Sequence, residues 1–234
     1  MYPTVFGWQH VTYMITSVTF MCVALILIKK YCKSDRARQI AIMVSAGLLL
    51  VSIIFNRIAL SFRGDSWSWV RLIPGTICGV TSIVFSIVTL AFFRNRNHAV
   101  FHFLVYVAII GGFLVTIYPD FIGQNASLMY LPTISGLIHH TLSLYLGILL
   151  IVVGEFKPHI KKWYCLLLGY FVYVTYGLFA AQVIGISNSM QIENPFLPGL
   201  YWWVIMIIVS AVIYSTLGVL ELIRYRIKRR RPGE

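Results

Sequence analysis

Apolar runs long enough to cross a lipid bilayer recur from one end of this 234-residue chain to the other. A helix rises about 1.5 Å per residue and the hydrocarbon layer is about 30 Å thick, so each crossing needs about 20 mostly apolar residues. The pattern predicts helices over 9–28, 39–60, 71–93, 99–118, 131–153, 163–185 and 200–223. Little chain remains between them, so residues 1–234 read as a single transmembrane domain with a short basic tail at 224–234. Composition agrees. Only 11% of the residues are charged and 59% are hydrophobic, whereas a soluble domain carries about a quarter charged residues to solvate its surface. The fold class is all-α: a polytopic membrane protein, a bundle of seven transmembrane helices.

Basic residues set the orientation. Lys29, Lys30, Lys33, Arg36 and Arg38 follow the first run, Arg94 and Arg96 the third, and Lys157, Lys161 and Lys162 the fifth. Arg224, Arg226, Lys228, Arg229, Arg230 and Arg231 follow the last. The opposite side holds Arg57, Arg63 and Arg71. The expected topology is N-out/C-in, and an even number of spans would break this alternation. Topology determinants also account for the +12 net charge, so no nucleic-acid partner is implied. The basic tail is expected to meet anionic inner-leaflet lipid, at about 1 kcal/mol per basic residue near the surface. Trp67, Trp69, Trp202 and Trp203 fall at the outer interface, and Asn125-Ala126-Ser127 is a glycosylation sequon in an outer loop. The first residues lack a basic n-region and a small-residue cleavage site, so the first run is expected to stay as a spanning helix.

Polar side chains at membrane depth cost free energy and are therefore functional candidates. Cys78 lies seven residues past Arg71, and His139 and His140 lie eight and nine residues into the fifth run, which places all three at about 10 Å depth on helices entering from outside. His10, Asn56, Arg57, Asp120 and Gln182 lie near the same side, whereas the inner half holds His102 and little else. Arg57 is expected to meet Asp120 or backbone carbonyls. In the fifth helix Ser135, His139 and Ser143 share one face, and Gly136, His140 and Gly147 the adjoining one. Such a small-and-polar stripe faces protein or a cavity; plain helix packing is its simplest use. In the third, Pro74 either kinks the helix or begins it, and Cys78 read alone is a small buried hydrophobe.

A thiol beside an imidazole has a chemical use: the base takes the proton and the sulfur attacks an acyl carbonyl. Adjacent histidines diverge by about 100° on a helix, so only one of His139 and His140 can face Cys78. The cysteines Cys22, Cys32, Cys78 and Cys165 have no CxxC spacing. His10, His139, His140 and Asp120 lack HxxxH or HExxH spacing, so neither a metal nor another cofactor is expected.

Phe6-Gly7-x-x-His10, Pro74-x-x-x-Cys78, Tyr118-Pro119-Asp120 and Leu137-Ile138-His139-His140 follow one another along the chain. Together they resemble the YwaF-like family of bacterial integral membrane proteins, which is related to a eukaryotic transmembrane family implicated in cysteine-dependent acyl transfer to ether phospholipids. The resemblance covers nearly the whole chain. It implies seven helices, a bacterial plasma-membrane location, Cys78 as thiol nucleophile and His139 or His140 as its partner. Where the family pattern has Pro-Leu-His-Leu-Cys, Thr76 stands in place of the histidine.

Three functions fit these residues. The first is a lipid acyltransferase or lipid-remodelling enzyme using Cys78 and a histidine, with His10, Asn56, Arg57, Asp120 and Gln182 lining the cavity. The second is a binding or transport protein for a small lipophilic solute. The third is a structural or assembly protein whose polar cluster glues helices. Membrane lipids are partners in each.

Overall fold

The computed structural model describes residues 2–63, 66–92, 96, 98–192, 208–219 and 221–222. Among them every regular element is helical. The chain divides into two compact units, Met1–Phe156 and Lys157–Glu234. The first contains α1 (Trp8–Tyr31), α2 (Asp35–Ser61), α3 (Ile77–Ala91), α4 (Phe101–Ile117) and α5 (Leu131–Val152). The second contains α6 (Tyr164–Phe179) and α7 (Ile208–Val219). Four stretches, Trp8–Tyr31, Asp35–Ser61, Leu131–Val152 and Ile160–Ile184, are long and apolar enough to cross a membrane, while α3, α4 and α7 are shorter apolar helices. The chain is an integral membrane protein.

In the first unit α5 is the central helix, packed against α2 and α4 and touched by α1 and α3. Its starting turn carries Pro132, which is tolerated there because a first-turn N–H needs no helical partner. Gly112 and Gly147 make the α4–α5 approach close: a Cβ on Gly112 would stand 2.7 Å from the His140 carbonyl oxygen, and one on Gly147 2.7 Å from Ile109 Cγ1. Such contacts hold helices together where lipid removes the hydrophobic drive for association. By contrast, α1 buries only His10 and is apolar nearly all round, as a helix bathed in lipid should be. At the start of α2, Ser34 caps the helix by accepting from the Ala37 N–H at 3.2 Å, with Asp35 in the first turn.

The third helix starts later than its hydropathy indicates. A 3₁₀ turn covers Trp69–Leu72, Ile73 is extended, and α3 begins at Ile77. Thr76 is the N-cap, its Oγ1 accepting from the Gly79 N–H at 3.2 Å. Pro74 therefore neither kinks nor begins the helix; it precedes the cap. Its apolar neighbours made the run look continuous, but a proline biases the residue before it toward extended backbone. Cys78 accordingly sits in the first turn of α3.

The end of this unit away from Cys78 also holds more than His102. Arg96 is fully buried, donating to Gln39 Oε1 at 2.5 Å and to the Thr89 carbonyl at 3.3 and 3.4 Å, with Glu155 Oε2 3.6 Å away. Gln39 Nε2 donates to Glu155 Oε1 at 2.8 Å, closing a cluster that joins α2, the α3–α4 connection and the segment after α5. Burial holds the Arg96 guanidinium below its ordinary range, while Glu155 opposes that shift. The expectation of a nearly apolar inner half is thus corrected: loop residues folded back under the helices are invisible to an estimate of depth along each span.

In the second unit α6 runs into a π-helical turn, Ala180–Ile184, and ends at Gly185 in the left-handed conformation with φ 80°. Gln182 is exposed on that turn. Glu221 joins the ends of this unit, its Oε1 accepting from the Ile160 N–H at 3.3 Å and lying 3.6 Å from His159 Nδ1. Trp202, Trp203, Arg94 and the basic tail at 224–234 lie outside the described residues.

Candidate functional site

The candidate site is built from α3, α4 and α5. On α3, Cys78, Ser82 and Ser86 repeat at helical spacing, and both serines are buried. On α5, Ser135, His139, His140 and Ser143 are buried together. Ser82 Oγ lies 3.3 Å from His139 Nδ1, so no helix intervenes between the two stripes. Cys78 is one turn before Ser82, about 6 Å nearer the start of α3. Cys78 thus lies one turn along α3 from the residue that meets His139.

Around the thiol the packing is tight. A Cβ on Gly111 would stand 3.0 Å from Cys78 Sγ, so the absence of a side chain there leaves room for the sulfur. Cys78 is half-buried, while Cys22 is exposed on α1. The thiol makes no hydrogen bond among the described residues.

The two histidines differ in surroundings. Their rings lie 4.1 Å apart. His139 turns to Ser82, whereas His140 stacks on Phe121 at 6.2 Å. Phe121 belongs to the α4–α5 connection, where Ile122 and Leu128 pack with Leu137, Val5 and Tyr13 into an apolar cover.

Asn56 is buried and satisfied. Its Nδ2 donates to Ser135 Oγ at 2.9 Å and to the Pro132 carbonyl at 3.2 Å, and its Oδ1 accepts from Arg57 at 3.4 Å. Arg57 reaches over α3, with NH2 3.2 Å from the position of a Cβ on Gly79. Asp120 is exposed in the segment after α4, and Arg57 donates to Asn56 Oδ1. His10 is fully buried. Its Nδ1 accepts from the Phe6 N–H at 3.1 Å, which leaves the proton on Nε2 to donate to the Thr116 carbonyl at 3.1 Å. Both ring nitrogens are engaged, so His10 straps the start of α1 to α4 instead of offering a free base. Gln182 belongs to the second unit.

Sequence reasoning passed over Ser82 and Gly111. The i, i+4, i+8 repeat of Cys78, Ser82 and Ser86 could have revealed the first; no local signal marks the second. Among the described residues no group of three or more His, Cys, Asp and Glu side chains could hold a metal ion.

Neither the curated proteins nor the solved structures contain a match to this chain. A family model does match, over residues 5–220, and it spans Cys78, both α5 histidines and all the helices described above. The chain belongs to the TMEM164 family, a family of transmembrane proteins.

Proposed function

We propose that this protein is a lipid acyltransferase in which Cys78 is the nucleophile and His139 its base. The observation that carries this reading is the Ser82–His139 contact, which brings an imidazole to within one helical turn of a thiol at the start of α3. In the first half-reaction the Cys78 sulfur attacks the acyl carbonyl of a donor phospholipid. A carbon–sulfur bond forms, the thiol proton passes to His139, and the ester carbon–oxygen bond breaks. The released lysophospholipid oxygen takes that proton. In the second half, the hydroxyl of an acceptor lysophospholipid gives its proton to His139 and attacks the thioester; the carbon–sulfur bond breaks and Cys78 regains a proton. Passing the proton as the sulfur attacks avoids a free thiolate at membrane depth, where an isolated charge is costly. The helix dipole favours the negative charge that builds on a first-turn side chain.

For His139 to act as base, its Nδ1–H must donate to Ser82 Oγ, leaving Nε2 as acceptor. Asn56 and Arg57 line the polar end of the site, with Asp120 at its rim. The finer identity we propose is a YwaF-like bacterial protein of the plasma membrane, oriented N-out/C-in with seven spans, whose site opens to the outer half of the bilayer.

The test is acyl transfer by the full chain in nanodiscs holding a deuterated-acyl phospholipid and an unlabelled lysophospholipid. Labelled product, together with an acyl adduct on Cys78 released by hydroxylamine, is the expected result, and Cys78→Ala should lose both. A lipid that stays bound equally in wild type and Cys78→Ala, with no adduct and no transfer, would replace this reading with that of a carrier.

A further inference from the structure

We infer that a second lipid site lies at the other end of the first unit: a basic cleft between α1, α2 and α5 that binds the phosphate of an anionic glycerophospholipid. A cavity of about 180 Å³ is lined there by Ile28, Lys29, Cys32, Lys33, Arg38 and Val153, with Val152 beside them. Three of these are cationic, and they come from two helix ends. Lys29 lies in the last turn of α1, Lys33 just past it, and Arg38 in the first turns of α2.

The acidic groups nearby leave a cationic excess. Asp35 is bonded to Arg38 at 2.5 Å. Glu155 is turned to Gln39 and Arg96. Lys29 and Lys33 are exposed and take part in no ion pair among the described residues. Arg38 is held in place by Asp35 and by donating to the Val153 carbonyl at 3.5 Å, so its guanidinium also covers the negative end of α5. The site is thus one cation held in place and two exposed ones around a half-apolar floor.

The floor decides the occupant. Ile28, Val152 and Val153 suit the glycerol and first acyl carbons of a lipid, and a free phosphate has nothing to place against them. The cleft also lies at the end of a spanning helix that is exposed along its length, where headgroups sit. Basic pockets between helices at this level are suited to lipid headgroups. The site is distinct from the Cys78 cluster and stands whether or not acyl transfer does.

The experiment uses the full chain in phosphatidylcholine nanodiscs with and without phosphatidylglycerol, reading lipid retained by native mass spectrometry and thermal unfolding. One retained phosphatidylglycerol and a higher unfolding temperature are expected. Lys29→Gln with Lys33→Gln should weaken that binding about twenty- to thirty-fold, taking about one kcal/mol per basic residue at the surface. The pair Lys161→Gln with Lys162→Gln, outside the cleft, should leave the retained lipid in place. Unfolding of each variant in pure phosphatidylcholine shows that it is folded. Equal loss in both pairs, or retention unchanged in the first, overturns the site. Equal stabilisation by inorganic phosphate in pure phosphatidylcholine overturns the lipid as its occupant.

Discussion

Ser82 Oγ stands 3.3 Å from His139 Nδ1, so a serine one turn past Cys78 decides which way the α5 imidazole faces. The proposed base needs the tautomer in which His139 Nδ1–H donates across this contact. Ser82→Ala should therefore lower the reactivity of Cys78 toward a lipophilic thiol-directed probe by about fivefold, the effect of a hydrogen bond of about 1 kcal/mol. Ser82→Thr, which keeps the hydroxyl, should restore most of it. Equal labelling of all three proteins would detach Ser82 from the chemistry.

The thiol itself provides a comparison within the same molecule. Cys22 is exposed on α1, and Cys78 is half-buried beside Gly111. An activated Cys78 should label faster than Cys22, and replacing both His139 and His140 with alanine should remove the difference. Slower labelling of Cys78, or no response to the histidines, would end the thiol-catalysis reading.

Two neighbouring glycines should separate function from stability. Gly111 faces Cys78 Sγ, while a Cβ on Gly112 would stand 2.7 Å from the His140 carbonyl oxygen and 2.8 Å from Leu144 Cβ. Gly111→Ala asks only the sulfur to move, so it should slow Cys78 labelling with a small change in unfolding temperature. Gly112→Ala presses on backbone and should destabilise by about 1–3 kcal/mol, with a visible drop in unfolding temperature. Similar profiles for the two would refute the assignment.

Arg96 and Glu155 form the ionic cluster at the far end of the same unit, with Gln39 between them. Glu155→Ala leaves a fully buried guanidinium without its carboxylate and should cost about 3 kcal/mol. Replacing Arg96 and Glu155 together with methionine should cost less than Arg96→Met and Glu155→Met added, because the unpaired charge is gone. Thermal unfolding in detergent measures this cycle, and strict additivity would mean that the pair is not coupled.

What the sequence revealed follows from how each feature is encoded. The long apolar helices are legible because the bilayer imposes a length and an apolar composition on a span; the hydropathy pattern puts α5 at 131–153 and the structure has it at Leu131–Val152. The buried stripe of α5 was legible because Ser135, His139 and Ser143 recur at the helical period. The start of α3 was not, because hydropathy cannot see Pro74 and Thr76 convert an apolar run into a turn and a cap. Nor was the Arg96 cluster, which rests on a loop residue folding back onto Thr89 and Gln39. His10 was found as a buried polar residue, but its use as a strap depends on the Phe6 and Thr116 backbones, which no side-chain pattern reports.

That strap gives the last prediction. The fully buried His10 accepts from the Phe6 N–H and donates to the Thr116 carbonyl, both at 3.1 Å. His10→Ala strands the buried Thr116 carbonyl, at a cost of about 1–3 kcal/mol, and releases the Phe6 N–H, which water can reach. The expected result is a lower unfolding temperature and faster hydrogen exchange at Phe6 and at the start of α1. Cys78 labelling in the surviving folded fraction should still depend on His139, because the His10 ring has no nitrogen free to serve the thiol. His10→Gln can keep a donor for the Thr116 carbonyl and should recover part of the stability. If His10→Ala instead abolishes Cys78 reactivity while unfolding temperature and exchange stay unchanged, His10 belongs to the reacting site and the strap is the wrong account of it.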